Sequence, residues 1–193
     1  MTGRTRPLLR SLSDGLVFLV FLAMVLLALR QSGLLRSETG SFAAIDGDSL
    51  RKAGGNYRLN GIDAPELHQM CRDAGRRDYP CGRMAKAALN DLVAGQDLSC
   101  SAVDTDRYGR AVVICKAGRE EINAAMVRQG WAIAYRAHSM AYVSEEAEAR
   151  SARRGLWQGE FEVPEAWRKS HRKELLQGAM APGEDLPDEE IGK

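Results

Sequence analysis

Residues 57–66 read Tyr-Arg-Leu-Asn-Gly-Ile-Asp-Ala-Pro-Glu. Alternation puts Tyr57, Leu59 and Gly61 on one face of a strand that runs to Ile62, and the acids and proline that follow mark its end. Upstream, Ala53-Gly54-Gly55-Asn56 is a turn, and Phe42–Ile45 and Ser49–Arg51 read as short strands, so a β-meander is expected from residue 42 to 62. Downstream, Ala85, Ala88, Leu89, Leu92 and Val93 recur at helical spacing and Gly95 stands where a C-terminal cap belongs, which predicts a helix of about four turns opening near Pro80.

Beyond that helix Asp97–Val103 alternates and Ala111–Cys115 is strand-like, with Asp104–Arg110 between them, so a hairpin is expected. If residues 104 and 111 close it, 102 faces 113 and Cys100 falls opposite Cys115. Four cysteines permit three pairings; this register favours Cys100 with Cys115 and leaves Cys71 with Cys81. A zinc site of His68, Cys71 and Cys81 is the weaker reading, because its three ligands are irregularly spaced. Further helices are expected over Ile122–Gln129, Val143–Arg154 and from Pro164 to about Leu176, with a short strand at Trp131–Tyr135. Short strands with helices after and between them give an α+β fold compatible with a small closed barrel.

The chain has 193 residues, 45% of them apolar and 27% charged, which suits one folded domain with a short N-terminal segment. Its formal charge of +1 includes five acids between Gly183 and Glu190; setting those aside leaves +6. That surplus is too mild for a basic DNA-binding stripe, so any nucleic-acid contact depends on a local cluster of cations.

Arg4, Arg6 and Arg10 precede an apolar run of 14 residues, Leu16–Leu29, and Arg30 follows it directly. The run reads as an uncleaved anchor, because Arg30 follows at once and no small-x-small cleavage site lies near it, with the apolar region of a cleaved signal peptide as the alternative, although a span normally takes about 20 residues. Either reading sends the domain to the periplasm or exterior, where paired cysteines persist. The expected division is residues 1–40 for a cytoplasmic stub, anchor and tether, 41–178 for the domain, and 179–193 for an acidic disordered tail.

Three acidic clusters carry the candidate chemistry: Ile45-Asp46-Gly47-Asp48-Ser49, the 57–66 stretch, and Asp104-Thr105-Asp106-Arg107-Tyr108-Gly109-Arg110. The meander can bring Asp48 and Asp63 together, and two hard carboxylates with a backbone carbonyl suit calcium or magnesium. Arg58, Glu66 and Arg110 are what phosphodiester cleavage needs: a carboxylate to take the proton of an attacking water, and guanidiniums to hold phosphate oxygens.

In their order these motifs resemble the staphylococcal nuclease (thermonuclease) family, from about Phe42 to Arg168. The likeness rests on Ile-Asp-Gly-Asp-Ser-Leu at 45–50, the 57–66 stretch, Asp-Arg-Tyr-Gly-Arg at 106–110, Met-Val-Arg-Gln-Gly-Trp-Ala at 126–132 and Gly-Leu-Trp at 155–157. It implies an OB-fold five-stranded β-barrel with about three helices. It further implies calcium held by Asp48, Asp63 and the Ala64 carbonyl, with Asp46 nearby, a catalytic set of Arg58, Glu66 and Arg110, and substrate contacts from Tyr108 and Tyr135. Trp131, Trp157, Phe161 and Trp167 read instead as packing residues.

The expected function is a monomeric, calcium-dependent nuclease of DNA or RNA with little sequence selectivity. Two other readings use the same barrel: a binding module for single strands or a partner protein without turnover, and an envelope protein acting on another anionic polymer. The complete set of Asp48, Asp63, Arg58, Glu66 and Arg110 favours the enzyme.

Overall fold

The computed structural model describes residues 6–31 and 37–172. Arg4, residues 32–36 of the expected tether, the stretch toward Leu176 and the acidic tail lie outside the described residues.

Helix α1 spans Arg6–Gln31. The side chains described within it, 15–28, are exposed, including the apolar Leu16–Leu22. Among the described residues no helix is long and apolar enough to cross a membrane, so the expected span is not found.

The sheet begins at β1 (Ser37–Gly40), four residues before the expected domain boundary, and continues through β2 (Ala43–Ala44), β3 (Ser49–Lys52) and β4 (Gly55–Leu59). Next come β5 (Ile62–Asp63), the insert strands β6 (Cys71–Arg72) and β7 (Asp78–Tyr79), and helix α2 (Cys81–Val93). Strands β8 (Leu98–Thr105), β9 (Ala111–Ala117) and β10 (Glu120–Glu121) lead into α3 (Ile122–Arg128), followed by β11 (Ile133–Ala134) and α4 (Val143–Ser151). A 3-10 turn at Gly155–Gln158 and α5 (Pro164–Ser170) complete the fold.

Seven strands form one mixed sheet in the order β1-β8-β9-β4-β3-β2, with β10 added on β9. Only β4 and β9 run parallel. Among the described residues the α+β class holds, but the expected closed five-stranded barrel with about three helices is corrected to a seven-stranded mixed sheet with five helices, α1 among them, whose end strands β1 and β2 are not paired with each other. β1 and β2 are consecutive arms of one chain segment divided at Ser41-Phe42, β1 pairing with β8 and β2 with β3, so the two ends of the sheet are joined through the chain and not by a hydrogen-bonded ladder.

The core gathers on the inner face of this sheet, where Leu50, Leu59, Leu98 and Val113 meet Leu89 and Val93 of α2 and Ile122 and Met126 of α3. A second, smaller cluster joins Cys71, Cys81, Ile133 and Leu156 to Trp131, Trp157 and Phe161, so these aromatics pack as expected.

Both expected disulfides, Cys71–Cys81 and Cys100–Cys115, are present. The zinc reading fails because its two thiols are spent on each other. The hairpin register pairs Cys100 with Cys115 and Ala102 with Val113 as expected, but Val103 bulges out and Thr105, not Asp104, closes the ladder on Ala111. Such a bulge inserts one residue on one strand and sharpens its twist.

Candidate active site

Leu59 and Leu50 point inward, so alternation turns Arg58 to the opposite face of the sheet, where it is half-buried. Its neighbours across the ladders are Ser49 on β3 and Val112 on β9. Asp48 ends the turn that leads into β3, and the Asp46 carboxylate caps that turn by accepting the Asp48 N–H at 3.0 Å. Gly47 between them is required by space: a Cβ there would lie 2.6 Å from the Ala64 Cβ and 2.8 Å from the Ala85 Cβ. Asp63 lies on β5, fixed by its pairing with Ile133 of β11.

These elements converge on Arg58. Its guanidinium donates to Asp48 Oδ1 at 2.9 Å and to Asp63 Oδ1 at 3.1 Å, and the Ala64 N–H donates to Asp48 Oδ2 at 3.1 Å. Ala64, expected to offer its carbonyl to a cation, is thus seen holding Asp48 through its amide.

Glu66 follows two residues later in a turn fixed by Gln69, whose Oε1 accepts the Glu66 N–H at 3.2 Å while its own N–H donates to the Glu66 carbonyl at 2.8 Å. The Glu66 carboxylate joins the cluster through Arg168 of α5, which donates to Glu66 Oε1 at 2.9 Å. The same guanidinium grips both oxygens of Asp63 at 3.0 Å each.

Asp48 and Asp63 are both buried. Burial pushes the Asp48 carboxyl up to about 7; Arg58 and the Ala64 amide counter this, while Asp46 and Asp63 add to it. Burial also works against the Arg58 and Arg168 cations, yet the carboxylates around them hold both above the ordinary arginine value.

Arg110 stands apart from this cluster. Asp106 holds it, accepting from Arg110 Nε at 2.7 Å with Oδ2 and from the Arg110 and Tyr108 backbone N–H groups at 2.9 Å with Oδ1. Since Val112 faces Arg58 across the parallel ladder, alternation puts Arg110 on the Arg58 side of the sheet. Tyr108 is 70% exposed, with the guanidiniums of Arg107 and Arg110 at 4.9 and 5.6 Å from its ring centroid. Tyr135 flanks β5, donating its N–H to the Gly61 carbonyl, and its ring lies against His138 with centroids 4.7 Å apart.

The structure therefore unites Asp48, Asp63, Arg58 and Glu66, keeps Asp46 and Ala64 as backbone supports of Asp48, and leaves Arg110 and Tyr108 on a neighbouring loop. Three contributors escape sequence reasoning. Arg168 lies 105 residues from Asp63, Gln69 looks like an ordinary polar loop residue, and Asn123 is a buried amide joining α3 to the sheet. A polar residue inside the apolar run of α3 is the one available signal, and it concerns Asn123 alone.

Among the described residues no three carboxylate, imidazole or thiol side chains gather closely enough to enclose a metal ion. The donors nonetheless fit a hard divalent cation: they are all oxygens, they are largely withdrawn from water, and a guanidinium already lies against Asp63 as a stand-in cation.

Residues 56–159, more than half of the chain, match the model of the family described as staphylococcal nuclease homologue. The chain belongs to this family. It is 33% identical over 140 residues to the succinoglycan biosynthesis protein ExoI of Rhizobium meliloti (strain 1021), covering 71% of this chain and 73% of that protein. It is 36% identical over 138 residues to a protein of Escherichia coli O157:H7 named uncharacterized endonuclease, covering 67% and 82%. A Haemophilus influenzae protein (strain ATCC 51907 / DSM 11121 / KW20 / Rd) of the same name is 31% identical over 135 residues, covering 66% and 70%. The matched segment of this staphylococcal nuclease homologue contains Arg58, Asp63, Glu66 and Arg110, and Asp48 and Arg168 lie outside it on either side.

Proposed function

We propose that this protein is a nuclease that hydrolyses phosphodiester bonds of DNA or RNA with little sequence selectivity, using calcium. The observation that carries the reading is the hydrogen-bonded cluster in which Arg58 joins Asp48 to Asp63 and Arg168 joins Asp63 to Glu66. Relatives named endonuclease support it.

In this reading Asp48 and Asp63 hold the cation. Calcium, when bound, polarises the phosphate and eases deprotonation of a nearby water. Glu66 accepts the proton of the attacking water. Arg58 spends two of its five N–H donors on the aspartates and has others for a phosphate oxygen, while Arg110 reaches the phosphate from the neighbouring loop. Tyr108, exposed between two guanidiniums, offers a ring on which a base can stack. Contacts to phosphate and to a ring face read no sequence, which is why little selectivity is expected.

The location that fits is exported or membrane-attached. Two disulfides need an oxidising compartment, and the exposed apolar residues Leu16–Leu22 of α1 are suited to an anchor or signal. The name of the Rhizobium relative brings a glycan into the substrate panel.

The test is cleavage by the full chain, purified oxidised, of single-stranded DNA, duplex DNA, RNA and an acidic glycan, with calcium or with chelator, beside Glu66→Gln and Arg110→Ala. Calcium-dependent cleavage of nucleic acid that collapses in both variants supports the assignment. A folded wild type that binds nucleic acid and never cuts it makes the protein a binding module instead.

A further inference from the structure

The second guanidinium of the cluster, that of Arg168, comes from a part of the chain outside the matched segment, and it is delivered by the insert between Glu66 and α2. Backbone bonds join Arg72 to Glu160 in both directions at 2.9 Å, and Gln69 Nε2 donates to the Glu162 carbonyl at 2.7 Å. The Cys71–Cys81 disulfide closes the base of the insert, and Trp157 and Phe161 pack beside it at 5.1 Å between ring centroids. Residues 159–163 are thus fastened to the insert, and α5 starts directly afterward with Pro164 buried. Arg168, one turn along α5, then reaches Asp63 and Glu66.

That placement has a consequence for cation binding. Asp63 gives one oxygen to Arg168 and the other to Arg168 and Arg58 together, so every oxygen it could offer a metal already accepts from a guanidinium. A divalent cation and Arg168 carry charge of the same sign and would seek the same oxygens. The Arg168 side chain is 30% exposed, which leaves it a way out to solvent.

Resting on the calcium reading above, we propose that Arg168 is a positioning residue that holds Asp63 and Glu66 in place in the cation-free protein and competes with the divalent cation for Asp63. The insert, through Gln69, Arg72 and its disulfide, keeps that competitor in the site. Arg168 therefore sets the calcium concentration at which the site assembles.

The experiment titrates calcium into the full-length wild type, Arg168→Gln and Arg168→Lys, starting from chelator-stripped protein. Calorimetry gives Kd, and the melting temperature is followed with and without calcium. Removing the competing charge should tighten calcium binding about ten-fold or more in Arg168→Gln. Arg168→Lys should fall between, because an ammonium keeps the charge but cannot span both Asp63 oxygens. Arg168→Gln should melt below wild type in chelator and gain more from calcium than wild type does, since stabilisation by a ligand grows with its affinity. A residue that only props up the fold would not tighten calcium binding when removed. Wild type that binds calcium while Arg168→Gln binds no tighter and gains no more in melting temperature overturns this inference alone. If neither protein binds calcium, the calcium reading falls and takes this inference with it.

Discussion

Gly82 lies so close against Glu66 that a Cβ built on it would come within 1.8 Å of the Glu66 carbonyl oxygen. The first turn of α2 thereby presses on the backbone of the residue assigned as general base, and no side chain larger than hydrogen fits between them. Gly82→Ala should force the Glu66 turn outward. Overpacking of this kind costs about 1 to 3 kcal/mol, read from urea denaturation. Cleavage should fall about a hundred-fold, because displacements near 1 Å at a reacting group have that effect. Activity at the wild-type level in Gly82→Ala would show that the position of Glu66 does not matter.

Asp106 is the support of Arg110. Burial alone would raise its carboxyl, but the bonds it accepts from Arg110 and Tyr108 outweigh that and hold it below its ordinary 3.8. A depressed folded value means its contribution is complete above the ordinary value and is lost as pH falls through the depressed one, so it belongs to the acid limb below about pH 4. In Asp106→Asn the amide oxygen can still accept from the backbone, while the amide nitrogen cannot accept from Arg110 Nε. Cleavage should drop about ten-fold as Arg110 loses its aim. Melting temperature against pH from 2.5 to 6 should show a flatter acid limb in the variant; an unchanged limb would remove Asp106 from the account.

Asn123, fully buried, donates from Nδ2 to the Asn60 and Val113 carbonyls at 3.0 and 3.1 Å and accepts the Cys115 N–H at 3.1 Å. It ties α3 to β9 and to the end of β4, just beyond Arg58. Asn123→Ala would take the partner from the Asn60 carbonyl and the Cys115 N–H, while the Val113 carbonyl keeps the Asn60 N–H, a loss of about 2 to 3 kcal/mol measurable by denaturation. A loss below about 1 kcal/mol would mean that water replaces the amide.

The two disulfides should separate by effect. Cys100–Cys115 joins directly facing residues of β8 and β9, 15 positions apart, and its double alanine variant should lose about 3 kcal/mol with calcium affinity unchanged. Cys71–Cys81 closes the base of the insert. Its double alanine variant should lose about 2 to 3 kcal/mol and also bind calcium more tightly than wild type, in the direction of Arg168→Gln. Equal calcium affinities in the two double variants would detach the insert from the control of Arg168.

What the sequence determined by itself was whatever repeats over a few residues or depends on side-chain type. Alternation at Tyr57–Leu59, the helical spacing of Ala85–Val93 and the turn chemistry of residues 104–110 place strands, helix and hairpin, because those signals arise from neighbours in the chain, although the strand expected to reach Ile62 stops at Leu59 and a turn at Gly61 sends Ile62 into β5. The facing of Cys100 and Cys115 followed from counting back along two antiparallel strands. The gathering of Asp48, Arg58, Asp63 and Glu66 was legible from residue type and motif order.

Tertiary structure decided what depends on distance through space. The bulge at Val103 moved the closing pair of the hairpin, and the break at Ser41-Phe42 divided one segment between β8 and β3, so that the ends of the mixed sheet are joined through the chain and not by a ladder. Packing of α2 decided that position 82 must be glycine. Above all, the fold brought Arg168 to Asp63 and Glu66 across more than 100 residues, and set Arg110 with Asp106 instead of in the carboxylate cluster. No periodicity encodes these meetings: an ion pair between distant residues is fixed by where strands and helices dock, and docking is a property of the whole core.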